Sequence, residues 1–439
     1  MIGHQPARGS VRAIVAVAVV LAAVALPLTF AAPRAGGEDQ RTLLDGAGVA
    51  VRLSRAVKFV DLDADTVFHP VNHRGWWGHI DQNGDLVVWF NFDWADHEYD
   101  GMIRVVRDGR TGFLNRAAYW QLDPMLQWAD RFSEGVAVVR QGNAGAEQYG
   151  LMDKTGRLLV PLELKNALRM TDGMAAVQVG TLIGFVNRAG DVVIKPRFTM
   201  ARSFHEGLAA VRLPADREDG PLAFIDRTGQ VAHTDADRQL RDLDSFHEGL
   251  AAARSAATGQ VGFLDKRFTF RIPPRFDDAR QFSQGVAAVR IGDHWGYIDK
   301  TGVLVVEPRF TSAQAFTQDA GLVEYESKRG FINRMGGVRV PLTLLDAQPF
   351  HLNFAPAVMP DAAAFVYVRS DGSIVWNPAR IDQYGIHNAR RGTQARLRAD
   401  LADEKGVSNN WMQLPEPRDP VAAPYQPEYR YEDRLPKSW

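Results

Sequence analysis

Three groups of residues in this 439-residue chain have the types, though not the spacing, that catalysis or metal binding needs. Asp61, Asp63 and Asp65 alternate as carboxylates do in a calcium loop. An EF-hand-type loop requires Gly at its sixth position and Glu at its twelfth; the residues there are Thr66 and Asn72. His205-Glu206 and His247-Glu248 resemble half of a zinc-protease motif, which needs a second histidine four residues on. Those positions hold Ala209 and Ala251. Asp81, Asp153, Asp226, Asp265 and Asp299 recur along the chain. A glycosidase-like acid/base pair would need two of them to converge on one substrate with separated pKa values. Each instead occupies a turn position, where a carboxylate bonds the turn's own backbone. There is no Gly-x-Ser-x-Gly elbow and no phosphate-cradling loop, and Gly46-Ala47-Gly48 is too short for a dinucleotide signature. The chain has no cysteine, which removes disulfides, thiolate metal sites and a cysteine nucleophile. The sequence assigns no catalytic residue, no cofactor and no metal, so the chain reads as a non-enzyme.

Aromatic residues offer the one uneven feature. Six of ten tryptophans fall between 76 and 128. Trp89, Trp94, Trp120 and Trp128 are the candidate ligand-contacting surface, because exposed aromatics stack on sugar rings or anchor a protein partner. The competing reading is packing of an atypical unit at one end of a repeat array. With 51 basic and 52 acidic side chains the net charge is −1, which argues against a nucleic-acid partner.

The elements that would position these residues are copies of one module. A core phrase begins with Gly, an aromatic or apolar residue, another apolar residue, then Asp or Asn and usually a basic residue. Its clearest copy is Trp295-Gly296-Tyr297-Ile298-Asp299-Lys300-Thr301-Gly302. Copies begin at 78, 112, 150, 184, 223, 262, 296, 330 and 366, the last of them worn. The steps are 34, 38, 34, 39, 39, 34, 34 and 36 residues. Upstream of most copies stands an opener such as Phe132-Ser133-Glu134-Gly135, followed by an apolar run. Downstream stands a β-branched run closed by Pro-Arg-Phe, as in Val303-Leu304-Val305-Val306-Glu307-Pro308-Arg309-Phe310. Short apolar runs separated by Gly-bearing turns predict antiparallel neighbours. Proline, which cannot donate to a sheet ladder, is expected to end the third strand. The unit is then a three-stranded meander whose connector adds a short fourth strand. Units of this size cannot bury both faces alone and must stack.

These three phrases, in constant order, resemble the WG-repeat family of bacterial proteins over roughly residues 55–378. Only Trp77-Gly78 and Trp295-Gly296 keep the Trp-Gly pair. The resemblance implies an exported or envelope-associated protein with a binding or scaffolding role, and it carries no catalytic residues. The expected fold is all-β, eight or nine stacked units, arranged either as a closed propeller-like ring or as an open curved array.

Around this body the sequence predicts four further segments. Residues 1–34 read as a signal peptide or membrane anchor, with Arg8 and Arg12 preceding an uncharged run from Ala13 to Phe30. Either reading places the body outside the cytoplasmic membrane. Residues 35–54 read as a linker. Residues 379–412 read as a short C-terminal helical extension, and 413–439 as a Pro- and Tyr-rich tail. The function expected is a non-catalytic scaffold for a protein or envelope polymer, or an accessory platform presenting substrate to a partner enzyme.

Overall fold

The computed structural model describes residues 42–44, 50–52, 65–73, 75–214, 220–360 and 365–376. The leader, the C-terminal helical extension and the Pro-rich tail lie outside the described residues. Met1–Ser54 is a separate unit, in which Thr42–Leu44 and Ala50–Arg52 pair as an antiparallel ribbon within the stretch read as a linker. No helix among the described residues is long and apolar enough to cross a membrane.

Among its described residues, the second unit, Arg55–Trp439, contains nine antiparallel sheets. They span 69–92, 94–126, 128–164, 166–198, 200–234, 240–276, 278–310, 312–344 and 346–376, and are numbered here as blades 1 to 9. Among the described residues blade 1 has three strands and the others have four. Nine clusters of buried apolar side chains hold the blades together, and each joins consecutive blades. The ninth joins blade 9 to blade 1, through Phe354, Tyr367 and Trp376 against Val71, Ile80 and Phe90. Nine interfaces among nine blades close the ring, so the array is a β-propeller and not an open solenoid. Closure removes the exposed sheet faces that an open stack would leave at its ends.

Blade 7 shows how the sequence builds one unit. Its strands are Asp278–Ala279, Val286–Ile291, His294–Asp299 and Leu304–Phe310. Val286 to Val289 are all buried, because a blade has a neighbour on each face and its middle strands are apolar on both sides. The opener is a two-residue hairpin turn: Gln284 and Gly285 have φ of 55° and 84°, and Ser283 and Val286 exchange backbone hydrogen bonds of 2.9 and 3.2 Å. Two successive positive φ values define a type I′ turn, whose twist matches that of the flanking strands. At the next turn the Asp299 carboxylate accepts from the Thr301 amide and hydroxyl and from the Val303 amide, at 2.9, 2.6 and 3.0 Å.

The expectation that proline ends a strand is corrected. Val192–Phe198 and Leu304–Phe310 run through Pro196 and Pro308. The reason is position: this strand is the last in its sheet, so one side of its backbone has no ladder partner and a missing N–H costs little. The register shifts here, and the outer strand bulges toward the glycine of the core phrase. A Cβ on Gly150 or Gly330 would lie 2.7 Å from the carbonyl oxygen of Val160 or Val340. The glycine of the core phrase is there because the bulge leaves no room for a side chain.

The repeated residues are also the ties between blades. The opener phenylalanine packs on the aromatic of the previous blade's core phrase, with ring centroids 4.8 Å apart for Phe113–Phe132, Phe185–Phe204 and Phe263–Phe282. The residue after it but one reaches forward to the next blade. Glu134 accepts from the Gly173 amide at 2.8 Å and pairs with Arg188. Asp172 does the same with Gly207 and Arg227, Glu206 with Gly249 and Lys266, and Glu248 with Gly285 and Lys300. The arginine of Pro-Arg-Phe donates to the next blade's turn, Arg197 to the Gly229 carbonyl and Arg275 to the Gly302 carbonyl. The forward carboxylate or amide latch is present at seven successive interfaces, from Asp100 on Gly135 to Gln318 on Asn353.

Candidate binding cavity

At blades 9, 1 and 2 the pattern changes. The latch position is Leu352 in blade 9 and Thr66 in blade 1. The blade 1 amide that a latch would reach, that of Val67, is held instead by Gln82 of the same blade at 3.2 Å. The seam is closed by the Tyr367 hydroxyl, which donates to the Pro70 carbonyl at 2.6 Å, and by a cluster of rings. His69 stands where blade 3 has Ala137, and His79 stands at the position of the core-phrase aromatic. The His69 and His97 ring centroids are 5.7 Å apart, those of His97 and His351 4.5 Å, and His69 packs on Phe354 at 4.2 Å.

Burial sets the charge of these imidazoles. It lowers the His69 pKa to about 3, helped by His351 and His79. It lowers His79 to about 4, although Asp96 works the other way. Burial first, then His351, His69, His79 and Arg131, puts His97 well below the ordinary histidine value. His351 is lowered by burial and by Arg131. Both ring nitrogens of His69 and the Nε2 atoms of His97 and His351 are buried without a hydrogen-bond partner.

Inside the seam lies a cavity of about 740 Å³ lined by residues of blades 1, 2, 3, 4, 8 and 9. No residue of an outermost strand reaches it, which places the short first strands at the centre of the ring. Trp94 and Trp128 are the first residues of those strands in blades 2 and 3, and both line the cavity together with Trp77 and Tyr99. Arg104 lies 4.7 Å over Trp94 and pairs with Asp96 at 2.7 Å. Arg131 lies 4.0 Å over Tyr99. Asp130 binds Arg169 at 2.8 Å and Arg104 at 3.5 Å. Burial alone would raise its carboxyl, but Arg169 and then Arg104 hold it below the ordinary carboxylate value. Asp346 is held by Arg329. Among the described residues no group of three His, Asp or Glu side chains is placed to hold a metal ion.

The four tryptophans picked from the sequence therefore separate. Trp94 and Trp128 come together at the cavity, half-buried rather than exposed. Trp120 lies in the core shared by blades 1 and 2, edge-on to Phe92 at 5.9 Å, so packing accounts for it. Trp89 lies in the strand Leu86–Phe92. Trp77, read only as a repeat position, is part of the cavity wall. The sequence also carries a fourth repeated phrase, an x-Ala dipeptide at Trp94, Trp128, Asn166, Met200, Asp278, Ser312 and Asp346. That phrase would have shown Trp94 and Trp128 to be equivalent. It would have set them at one level of adjacent units. The histidines carried a signal too, since four of eleven fall between 69 and 97.

Comparison with solved structures places the architecture among known folds. The crystal structure of a eukaryotic initiation factor matches 72% of this chain and 96% of its own, with TM-score 0.54 and 9% identity, which speaks to fold alone. BamB from Moraxella catarrhalis (TM-score 0.36, 14% identity, 74% of this chain and 96% of its own) and AztD from Citrobacter koseri (0.37, 12%, 71% and 94%) are more distant. No curated protein matches the sequence. The family described as "WG containing repeat" matches residues 77–110, 112–143, 149–180, 183–213, 262–293 and 295–328. Six matched units, set in a ring whose nine blades share one plan, make this chain a member of the WG-repeat family.

Proposed function

We propose that this protein is a non-catalytic binding platform, working on the outer side of the cytoplasmic membrane, that holds a protein segment or a cell-envelope polymer in the cavity at the seam. The observation that carries this reading is the convergence of Trp77, Trp94 and Trp128 on one cavity. Aromatic faces backed by guanidinium groups bind ligands through stacking and cation–π contact. The carboxylates there are neutralised by arginine: Asp96 and Asp130 by Arg104, Asp130 also by Arg169, and Asp346 by Arg329. Asp130, held low by Arg169 and Arg104, is a poor proton donor or acceptor near neutral pH. A wall of that kind suits recognition and not proton transfer. The outward location rests on Arg8 and Arg12 ahead of an uncharged run.

The test is capture from solubilised envelope extract and titration with envelope polysaccharide and peptide fragments. Trp94→Ala combined with Trp128→Ala is expected to reduce capture tenfold or more, an interface anchor of this kind contributing about 2 kcal/mol or more. Unchanged capture by a folded double variant sinks the reading. A reporter enzyme active only outside the cytoplasm, fused after residue 378, tests the location.

A further inference from the structure

We propose that the histidine cluster where blade 9 meets blades 1 and 2 is a proton-operated gate: uncharged imidazoles keep the ring closed around the cavity, and their protonation parts blade 9 from blade 1. The consequence for binding rests on the reading of the cavity given above; the gate itself does not.

The geometry is the argument. His69 and His79 come from blade 1, His97 from blade 2 and His351 from blade 9. They meet across the two interfaces that lack the forward latch. His97 and His351 also line the cavity. A proton on one imidazole sits 4.5 to 5.7 Å from the next ring, and the carboxylates that face it among the described residues are already paired with arginine. The charged and titratable groups facing the cluster are Asp96, Glu98 and Tyr99 of blade 2, Arg131 of blade 3 and Tyr367 of blade 9. Asp96 is committed to Arg104 at 2.7 Å, and Glu98 to Arg116 at 3.1 Å. Arg131 adds a positive charge beside His97 and His351. Burial keeps the Tyr367 hydroxyl protonated, as the donor to Pro70.

The direction follows from linkage. Folded-state histidine pKa values are depressed, so the open state binds more protons than the closed one below the ordinary histidine value. The closed state is at full strength above about pH 6.5 and weakens as pH falls toward the closed-state values, about 3 for His69 and about 4 for His79. Each imidazole that protonates only on opening shifts the open-to-closed ratio about tenfold per pH unit. Two or more acting together make the response steep. At the other seven interfaces the ties are carboxylate and amide latches; the interface of blades 5 and 6 also carries a histidine pair, His205 and His247, with ring centroids 4.6 Å apart, but it keeps its latch from Glu206 to the Gly249 amide.

Because the natural chain has no cysteine, a pair of introduced cysteines carries fluorophores without competition. Asn83→Cys with Ser370→Cys reports the distance between blades 1 and 9. Thr155→Cys with Ala189→Cys, at corresponding turns of blades 3 and 4, is the control. Energy transfer at the seam is expected to fall reversibly between pH 7 and pH 5 while the control stays constant. In a His97→Gln, His351→Gln background the fall is expected to disappear or move down by at least one pH unit. His69→Ala, which installs the residue found at that position in blade 3, is the second background if the glutamine pair does not close at pH 7. Constant transfer at the seam down to pH 5 overturns the gate. A fall at seam and control together also overturns it, since that is general acid unfolding. If the gate opens but the Trp94, Trp128 double variant still captures its partner, the gate stands and the cavity reading falls. If capture depends on those tryptophans but the seam does not respond to pH, the reverse holds.

Discussion

The arc from blade 2 to blade 9 and the seam from blade 9 back to blade 2 hold the same kind of sheet together in two different ways. In the arc, each interface combines a buried apolar cluster with a carboxylate or amide that caps the next blade's turn. At the seam the latch positions are Leu352 and Thr66, and histidines occupy core positions that hold apolar residues or glycine elsewhere, such as Ala137 and Leu151 in blade 3. The arc interfaces are local: the two partners of a latch lie 35 to 43 residues apart. The seam joins residues 297 apart, in the Tyr367–Pro70 bond. A contact of that separation closes a long loop and forms only when the blades between are in place. The same site holds the tryptophan-lined cavity. The regular interfaces repeat one set of ties, and the two irregular ones replace it with histidines and a tryptophan-lined cavity.

Three measurements break or sharpen this contrast. Phe282→Ala removes an aromatic that is 1% exposed and packs on Phe263. Its loss is expected to cost about 3–5 kcal/mol and to lower the thermal midpoint of the whole ring. A variant that unfolds like the natural protein would show that the arc is not held by these aromatic pairs. The second concerns acid. His69 and His79 are fully buried with depressed pKa values, so each is expected to withdraw about 1.4 kcal/mol per pH unit below about pH 6.5. Hydrogen exchange, corrected for its intrinsic pH dependence, should show blades 9 and 1 losing protection before blades 3, 4 and 7. Simultaneous loss in all blades would erase the distinction. The smallest effect is at the latch. Glu248→Ala removes a half-exposed acceptor of the Gly285 amide and the partner of Lys300, and is expected to cost about 1 kcal/mol in urea unfolding. The converse graft, Leu352→Glu with Gln82→Lys, should stabilise the seam by about 0.5 kcal/mol and blunt its acid response. If the graft has no effect on either, the missing latch is not what distinguishes the seam.

Much of this was legible in the chain. All nine core phrases, the worn one at Val366-Tyr367-Val368 included, form the third strand of a blade or its counterpart in blade 1. The recurring aspartates serve the turns, as Asp153, Asp226 and Asp299 show. His205-Glu206 is a turn as read, and Glu206 is also a latch. The proline was misread because its effect depends on which strand is outermost. Trp94 and Trp128 were picked out, but together with Trp120, which belongs to the core. Residue type could not separate them, since a half-buried tryptophan beside a cavity and one inside a packed interface have the same composition and similar neighbours in sequence.

Local pattern by itself determined the module, its turns and a copy number of eight or nine, because hydrogen-bonded meanders and type I′ turns are decided by residues a few positions apart. Closure, the site of the seam, the meeting of His69, His97 and His351 and the cavity inside were decided only in three dimensions. Each depends on bringing the last blade onto the first. That step is governed by the rotation accumulated over eight interfaces and by side chains almost three hundred residues apart, and no short-range spacing encodes it.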